Sequence, residues 1–319
     1  MNILITGITG LFGSFLAREF SKLGAIHGLK REDSNLDLLQ DLDFEVTWHT
    51  GEVGDMDSLL EAMKSIDLVI HSAGMVSFSS KDEDQVYLVN SQGTSNVVNA
   101  MLASGVKKLL HVSSVAAIGR SVELKAISED FKWADSPLNT HYAISKYQGE
   151  LEAWRGQQEG LEVLVVNPSI LLGKVSFHRS STAILDYVMQ EHTFYPKGDL
   201  NYIDVRDAAK ISRILVEKEA WGERFILNKE SVAYKKFFKE AAHAFSKKAP
   251  FIAVSGVMIG LVAGVLGILR LLGLSQSPLN RKTAMLSQQK IYFQNDKVNS
   301  LLDYQYLSLE ESLNWAKNP

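Results

Sequence analysis

The chain has 319 residues, a formal net charge of −4 and no cysteine. This length exceeds that of one minimal domain and predicts a large α/β domain with a smaller lobe. The missing cysteine excludes disulfides, thiolate catalysis and zinc–thiolate sites, and a slightly acidic chain without a basic stripe predicts no nucleic acid partner.

The first predicted elements are a strand and a helix. Asn2 to Thr6 is a short apolar run that predicts a buried strand, and an amphipathic helix follows it, with Gly24 as its predicted C-terminal cap. No signal peptide is visible before the strand, so we expect a cytoplasmic protein.

The turn between this strand and helix predicts a seat for the pyrophosphate of a dinucleotide. Gly7 allows a tight turn, Gly10 lets the backbone approach a phosphate, and Gly13 lets the helix pack close to the strand. The helix N-terminus then presents unpaired N–H groups to the anion. The predicted cofactor-binding residues of this turn are Thr6, Gly7, Thr9, Gly10, Leu11, Phe12 and Gly13.

The second predicted strand indicates which dinucleotide binds. Ala25 to Leu29 reaches Lys30 and Arg31, at the position where dinucleotide folds contact the adenosine ribose. A base there accepts a 2′-phosphate, so the sequence favours NADP(H) over NAD(H). The alternative is a solvated strand end, because Glu32 and Asp33 dilute the positive charge.

Strands and helices alternate through the next part of the chain. The predicted strands are Phe44 to Trp48, Asp67 to His71 and Lys107 to Ser113, and the predicted helices run over residues 57–64 and 90–103. Apolar strands that alternate with helices predict a doubly wound parallel sheet covered on both faces.

The motifs along this stretch resemble those of one enzyme family. They are the glycine motif at 6–13, His71-Ser72-Ala73-Gly74, Asn90-x-x-Gly93-Thr94, Ser113-Ser114 and Tyr142-x-x-x-Lys146. Together they resemble the extended short-chain dehydrogenase/reductase family. The segments His111 to Gly119 and Asn167 to Gly173 are similar to its dihydroflavonol reductase-like and NAD-dependent epimerase/dehydratase branch. The resemblance implies a Rossmann domain over residues 1–174 and a mainly substrate-binding lobe over 175–319, from which some elements return to the Rossmann core.

Three residues carry the expected chemistry. Tyr142 and Lys146 lie four residues apart, so they share one face of a helix, and a nearby ammonium should pull the pKa of the phenol down. Tyr142 can then act as general acid in carbonyl reduction or as general base in alcohol oxidation. By resemblance, Lys146 also bonds the nicotinamide ribose, and Ser114 holds the substrate oxygen. Ser113 is the alternative serine, although we expect it to face the sheet.

The resemblance also implies further cofactor contacts. Glu52 and Val53 occupy the adenine position, and Pro168 and Ser169 flank the nicotinamide amide. Ser72, Ala73 and Gly74 line the cofactor, while Asn90 either supports the site or caps its helix. The histidines show no metal-ligand spacing and His111 lies in an apolar strand, so the sequence predicts no metal site.

Departures from the family pattern favour a small or apolar substrate. Val115 and Ala116 stand where sugar-nucleotide dehydratases carry acidic residues, and Ile118 and Ile170 replace polar residues of the epimerases. The first hypothesis is therefore an NADP(H)-dependent oxidoreductase. The alternatives are an NAD-dependent epimerase of a sugar or sugar nucleotide, acting by transient oxidation, and a non-catalytic NADP-binding regulator.

The second lobe gives weaker signals. Arg179, in a polar loop from Ser176 to Ser181, either pairs with a substrate carboxylate or lies in solvent. Residues 251–269 carry no charge, which is typical of a buried helix, a subunit interface, a hydrophobic lid or a membrane contact, and the residues favour the soluble alternatives. By resemblance we also expect a homodimer formed by the helices that carry Asn90 and Tyr142.

Overall fold

A seven-stranded parallel sheet forms the centre of the molecule. The computed structural model describes residues 1–121, 123–174, 183–254 and 285–317. The strands are β1 (Asn2–Thr6), β2 (Ala25–Lys30), β3 (Val46–Thr50), β4 (Leu68–His71), β5 (Lys108–Val112), β6 (Ala126–Ile127), β7 (Glu162–Pro168), β8 (Ile170–Leu172), β9 (Phe194–Pro196), β10 (Asp199–Asp204), β11 (Arg224–Leu227), β12 (Glu230–Ala233), β13 (Ile252–Val254) and β14 (Tyr292–Phe293).

The helices connect these strands. They are α1 (Leu11–Phe20), α2 (Met56–Ala62), α3 (Glu83–Tyr87), α4 (Gly93–Ser104), α5 (Val115–Ile118), α6 (His141–Gln158), α7 (Ala183–Met189), α8 (Val205–Glu217), α9 (Tyr234–Phe245), α10 (Asp296–Leu302) and α11 (Leu309–Lys317). Two short 3₁₀ turns cover Asp37–Leu39 and Ser80–Asp82, and a π-helical turn covers Leu88–Gln92.

The strand order places a crevice beside β1. The large sheet has the order β11-β7-β5-β4-β1-β2-β3, and every neighbouring pair is parallel. The chain builds outward from β1 on one side and then returns to β4 on the other. Such a reversal opens a crevice at the carboxyl ends of the strands, where dinucleotides bind in doubly wound folds. The fold class expected from the sequence is therefore confirmed.

Both faces of the sheet are covered by helices. Ile3 and Ile5 of β1 pack with α1 and α8 on one face, while Leu4 packs with α2, α4 and α6 on the other. All three side chains are fully buried. A strand that alternates between two apolar layers has no polar face, which is why the sequence shows continuous apolar runs.

Two sequence-based boundaries differ from the structure. α1 ends at Phe20, and the backbone of Gly24 is not left-handed, so the predicted C-terminal cap is wrong. A Cβ atom on Gly24 would lie 1.9 Å from the carbonyl oxygen of Met1, so this glycine allows a close backbone approach. The helix predicted over 90–103 begins in the π-helical turn, and α4 itself starts at Gly93.

A smaller lobe lies on β8, β10 and β12, which form a three-stranded sheet. Its core includes Tyr202, Phe237 and Leu313. β11 and α8 return to the large sheet, because β11 pairs with β7 and α8 packs with α1. The boundary at residue 174 stays a prediction.

Two sequence hypotheses fall wholly or partly outside the described residues. Arg179 lies outside them, and so do residues 255–269 of the uncharged segment. The start of that segment is described, and Ile252–Val254 forms a strand paired with β9, so a helix that begins at Phe251 is wrong. Among helices in the described ranges, none is both long and apolar enough for a membrane span. The cytoplasmic location stays a prediction.

Candidate active site and nucleotide cleft

The glycine loop forms a cradle that leaves no room for side chains. Gly7 has a φ of +71°, and a Cβ atom there would lie 2.5 Å from the amide nitrogen of Ala73. A Cβ atom on Gly13 would lie 2.1 Å from the carbonyl oxygen of Gly7. Gly10 occupies the N-cap position of α1 and has no side chain to cap the helix. The first N–H groups of α1 are therefore available to an anion, which fits a dinucleotide pyrophosphate.

The adenosine end of the cleft is basic on one side. A cavity of about 250 Å³ runs from the glycine loop to the end of β2, and Lys30, Arg31, Glu52 and Val53 line it. Ser34 also lines this cavity, and its hydroxyl oxygen accepts a 3.0 Å hydrogen bond from the Arg31 amide. Ser34 was not among the residues that the sequence predicted for this cleft.

Thr6 lies beneath the cradle and not in the cleft. Its hydroxyl is 2.7 Å from Nδ1 of His71 and accepts a bond from the Ala73 amide. Nε2 of His71 lies 3.0 Å from the hydroxyl oxygen of Thr94, which donates its proton to the Asn90 carbonyl. This chain of donors assigns the proton of the neutral ring to Nε2, because Thr94 has only one hydrogen to give. The side chain of Thr6 therefore supports the loop.

Asn90 joins the loop after β4 to α6. Its side-chain oxygen accepts a 2.8 Å bond from the Met75 amide. Its side-chain nitrogen donates to the Met75 carbonyl and to the hydroxyl of Ser145 on α6. Of the two alternatives for Asn90, the structure therefore supports the positioning role over the helix cap. Gly74 lies in the same place, and a Cβ atom there would be 3.9 Å from Nζ of Lys146.

Ser114, Tyr142 and Lys146 line one cavity. Ser114 follows β5 and begins α5, where its hydroxyl accepts from the Ala116 amide. Tyr142 and Lys146 lie on successive turns of α6, and Nζ of Lys146 donates a 2.8 Å bond to the Val112 carbonyl. The cavity measures about 390 Å³, and its other walls are mostly apolar. The Ser113 hydroxyl donates to Glu150, which leaves Ser114 as the serine available to a substrate.

The pKa of Tyr142 moves in the direction opposite to the one expected. Burial raises this pKa, and a hydrogen bond with Ser114 and the charge of Arg120 only partly oppose the change. Burial lowers the pKa of Lys146 to about 8, and the charge of Glu150 acts against it. The cation that opposes this rise is Arg120, whereas the sequence pointed to Lys146.

Glu150 is a buried carboxylate that sequence reasoning missed. One oxygen accepts from Ser113 at 2.6 Å and from Asn167 at 2.8 Å, and the other accepts from Trp154 and Arg224. Glu150 is only 2% exposed to solvent. Its spacing of four residues from Lys146 on a helix is the signal that could have identified it.

The remaining predicted contacts lie around the same two cavities. Ser72 and Gly74 line both of them, which shows that the nucleotide cleft and the apolar cavity meet. Phe12, Pro168 and Ser169 line the apolar cavity, and the buried Ser169 hydroxyl has no hydrogen-bond partner among the described residues. Leu11 is buried against Gly173 and does not reach the cleft with its side chain.

Comparisons with known proteins identify the family. The model of the NAD dependent epimerase/dehydratase family matches residues 3–227. The chain belongs to this family. Its sequence is 30% identical over 236 residues to a Synechocystis protein named "Putative dihydroflavonol 4-reductase", a match that covers 72% of this chain and 68% of that one.

Other relatives match over almost the full length. The chain is 25% identical over 312 residues to sterol-4-alpha-carboxylate 3-dehydrogenase, decarboxylating, of Dictyostelium discoideum, and the match covers 92% and 93% of the two chains. The fold is also similar to the crystal structure of gox2253, with a TM-score of 0.84 and 28% sequence identity. The match covers 98% of this chain and 96% of the gox2253 chain. The resemblance stated from the motifs is confirmed, and the protein is an NAD(P)-dependent enzyme of the extended short-chain dehydrogenase/reductase type.

Proposed function

We propose that this enzyme uses NADPH to reduce a small or apolar carbonyl compound to an alcohol. The observation that carries the proposal is the meeting of two hydroxyls, those of Ser114 and Tyr142, in a mostly apolar cavity that joins the nucleotide cleft. A carbonyl oxygen placed between these hydroxyls would be held for hydride transfer to its carbon. The same groups serve the reverse oxidation of an alcohol.

The roles of the three residues follow from their surroundings. Because burial raises its pKa, Tyr142 stays protonated at neutral pH and donates its proton to the carbonyl oxygen. The Ser114 hydroxyl bonds the same oxygen and stabilises the charge that develops there. Lys146, beside Gly74, holds the nicotinamide ribose, and the bound cofactor supplies the hydride.

The preference for NADPH rests on the end of β2. The Arg31 side chain is exposed, lies 3.5 Å from Asp33, and shares the cavity wall with Lys30 and Ser34. Two cations and a hydroxyl supply the charge-assisted hydrogen bonds that a 2′-phosphate accepts. An unphosphorylated ribose would gain much less from them.

The cofactor preference is tested by titrating the protein with NADPH and NADH while nicotinamide fluorescence is followed. We expect NADPH to bind more tightly, and Arg31→Ala to lose about tenfold of that preference. Glu32→Ala, which removes a neighbouring charge of opposite sign, is the matched control and should maintain or strengthen the preference. Equal binding of both cofactors by the wild type would contradict the proposal.

Catalysis is tested by NADPH oxidation with a panel of aldehydes and ketones. We expect Tyr142→Phe to lower kcat/KM by about 10²- to 10⁴-fold, the usual contribution of a positioned general acid. Tyr147 lies on the same helix, stacked on Trp133, so Tyr147→Phe removes a phenol hydroxyl outside the site and is the control. Activity that survives Tyr142→Phe unchanged would overturn the catalytic assignment.

The epimerase alternative has less support from the residues. Ile118 is fully buried and Ile170 lines the apolar cavity, so neither offers a hydrogen bond to a sugar diphosphate. An epimerase would keep its cofactor tightly bound through purification and show no net oxidation or reduction. That result would move the assignment to epimerisation.

We also propose that the enzyme is a homodimer. Leu88, just before α4, and Leu151, on α6, are exposed apolar side chains on the two elements that the family resemblance assigns to the interface. Light scattering at several protein concentrations tests this, and Leu151→Lys should shift the protein toward a monomer. A monomeric wild type would refute the proposal.

A further inference from the structure

Arg120 lies in the apolar cavity beside the reacting groups. It follows Gly119, whose φ of +102° reverses the chain directly after α5. A Cβ atom on Gly119 would lie 3.2 Å from the ring of Phe131, so the turn is packed tightly against an aromatic side chain. The guanidinium carbon of Arg120 lies 5.9 Å from the centre of the Phe293 ring, and Arg120 lines the same cavity as Ser114 and Tyr142.

The positive charge of Arg120 has no carboxylate partner among the described residues. The phenols of Tyr142 and Tyr234 act on its pKa, but burial raises the pKa of both, so they are uncharged at neutral pH. No ion pair between described residues involves Arg120. Burial disfavours its charged form and lowers its pKa. Arg120 is half-buried, so its guanidinium is partly removed from water and has no anion to compensate. Such a cation marks a position where an anionic ligand group would be bound.

The other cation of the cavity is already engaged. Nζ of Lys146 donates to the Val112 carbonyl and feels the charge of Glu150. Arg120 is thus left as the group that can bind an anion, within walls formed by Met75, Phe78, Ile184 and Leu286. One guanidinium in apolar surroundings suits a singly charged carboxylate on an otherwise apolar molecule, since a guanidinium matches the two oxygens of a carboxylate.

We propose that Arg120 binds the carboxylate of an amphipathic oxo acid, or of the corresponding hydroxy acid, whose carbonyl or alcohol oxygen lies at Ser114 and Tyr142. This inference rests on the proposed function, because it uses the same reacting groups. In the reduction, the carbonyl carbon takes a hydride from NADPH and its oxygen takes a proton from Tyr142, which yields the alcohol and NADP⁺. The carboxylate is not altered, and Arg120 determines which substrates bind.

The test compares two ligands that differ only in charge. They are 2-hydroxycyclohexane-1-carboxylate and its primary amide, which cannot react with NADPH, so binding to the NADPH complex can be followed by cofactor fluorescence. We expect the acid to bind about tenfold to a hundredfold more tightly than the amide, as for other hydrogen bonds to charged groups. Arg120→Gln should bring the ratio close to one, and Arg120→Lys should restore part of it.

A matched control removes a neighbouring charge. Lys125 is exposed on the same connection, so Lys125→Gln should keep the acid-to-amide ratio of the wild type. Wild-type protein that binds acid and amide equally, that binds neither, or that keeps its ratio in Arg120→Gln would overturn the inference. Tighter binding of cyclohexyl phosphate than of the acid would overturn the assignment to a carboxylate in favour of a phosphate.

Failure of this inference can be distinguished from failure of the proposed function. NADPH binding and the reduction of cyclohexanone, which has no charge, report the proposed function alone. A wild type that performs both but ignores the charge of the ligand refutes only the role of Arg120. A wild-type ratio close to one already refutes the inference. If Arg120→Gln does not fold, the conservative Arg120→Lys supplies the comparison, and a ratio unchanged in that variant counts against Arg120.

Discussion

Removal of the charge on Glu150 should change the pH dependence of the enzyme. In Glu150→Gln the carboxylate is replaced by an amide of the same shape, so the side chain still fills its place below Lys146. Burial lowers the pKa of Lys146 to about 8, and the charge of Glu150 acts against that change. Without it, the ammonium is left buried with less compensation, and its pKa should fall further.

The size of this fall follows from the helix geometry. Residues four apart on a helix have Cβ atoms about 5–6 Å apart, so the two charged groups are roughly 6–8 Å apart. At an effective dielectric constant of about 20, such charges interact by roughly 2–3 kcal/mol, which is about 1.5–2 pKa units. Lys146 and Glu150 are both almost fully buried, so solvent screens this interaction little. We expect the alkaline limb of kcat/KM to move from near pH 8 to about pH 6–6.5.

The measurement is kcat/KM for NADPH-dependent reduction between pH 5.5 and about 9.5, a range that includes the alkaline limb of both the wild type and the variant. Glu152→Gln on the same helix is the control, because Glu152 is partly exposed and pairs with Arg155 away from Lys146. Glu150→Gln should also destabilise the protein by about 3 kcal/mol in urea unfolding, since Arg224 loses a buried partner. An alkaline limb that stays in place or moves upward would refute this account of Lys146.

Two further predictions concern the cradle and the buried histidines. Gly13→Ala should lower the free energy of unfolding by about 1–3 kcal/mol and weaken NADPH binding, because the added Cβ atom would lie 2.1 Å from the Gly7 carbonyl oxygen. Gly54→Ala is the control and should do neither, since the nearest atom to its Cβ would lie at 3.7 Å. A Gly13→Ala variant as stable as the wild type would contradict the close packing. Burial lowers the pKa of His71 to about 3 and that of His111 well below its usual value, with the charge of Lys146 adding to both shifts. The unfolded chain therefore binds protons below about pH 6.5 that the folded chain does not, so stability should fall with decreasing pH by about 1.4 kcal/mol per pH unit for each histidine. His27 and His49 also have pKa values lowered by burial, so they add to the slope as well. His111→Leu should therefore reduce the slope of urea unfolding between pH 5 and about 6.5 by at most about 1.4 kcal/mol per pH unit, and an unchanged slope would show that His111 is not a source of the acid sensitivity.

The fold was accessible from sequence where its signals are local. The apolar runs of β1, β4 and β5 and the glycines at 7, 10 and 13 each depend on residues close in the chain. Gly24 shows where such reasoning ends, since its role depends on a close approach to Met1, directly before β1. The close packing of Gly93 at the start of α4 also involves a distant residue, since a Cβ atom there would lie 2.6 Å from the Val53 side chain.

The site divides in the same way. Ser114, Tyr142 and Lys146 have a recognisable spacing, and the structure brings them to one cavity. Arg120 carries no such signal, because its importance comes from apolar neighbours contributed by distant parts of the chain. Which charges lie near a phenol is a property of the assembled fold. The influence of Arg120 on the pKa of Tyr142 was therefore not visible in the spacing of Tyr142 and Lys146.

A buried relay links the nucleotide cradle to the catalytic helix. It runs from the Ala73 amide through Thr6, His71 and Thr94 to the carbonyl of Asn90, whose side chain then bonds Ser145 on α6. Each member donates one proton to the next, so a charged His71 would force two donors to face each other at Thr6. Because burial keeps His71 neutral, the relay has a single direction at neutral pH. These buried hydrogen bonds therefore connect the loop that contains Gly74 to α6, the helix that carries Tyr142 and Lys146.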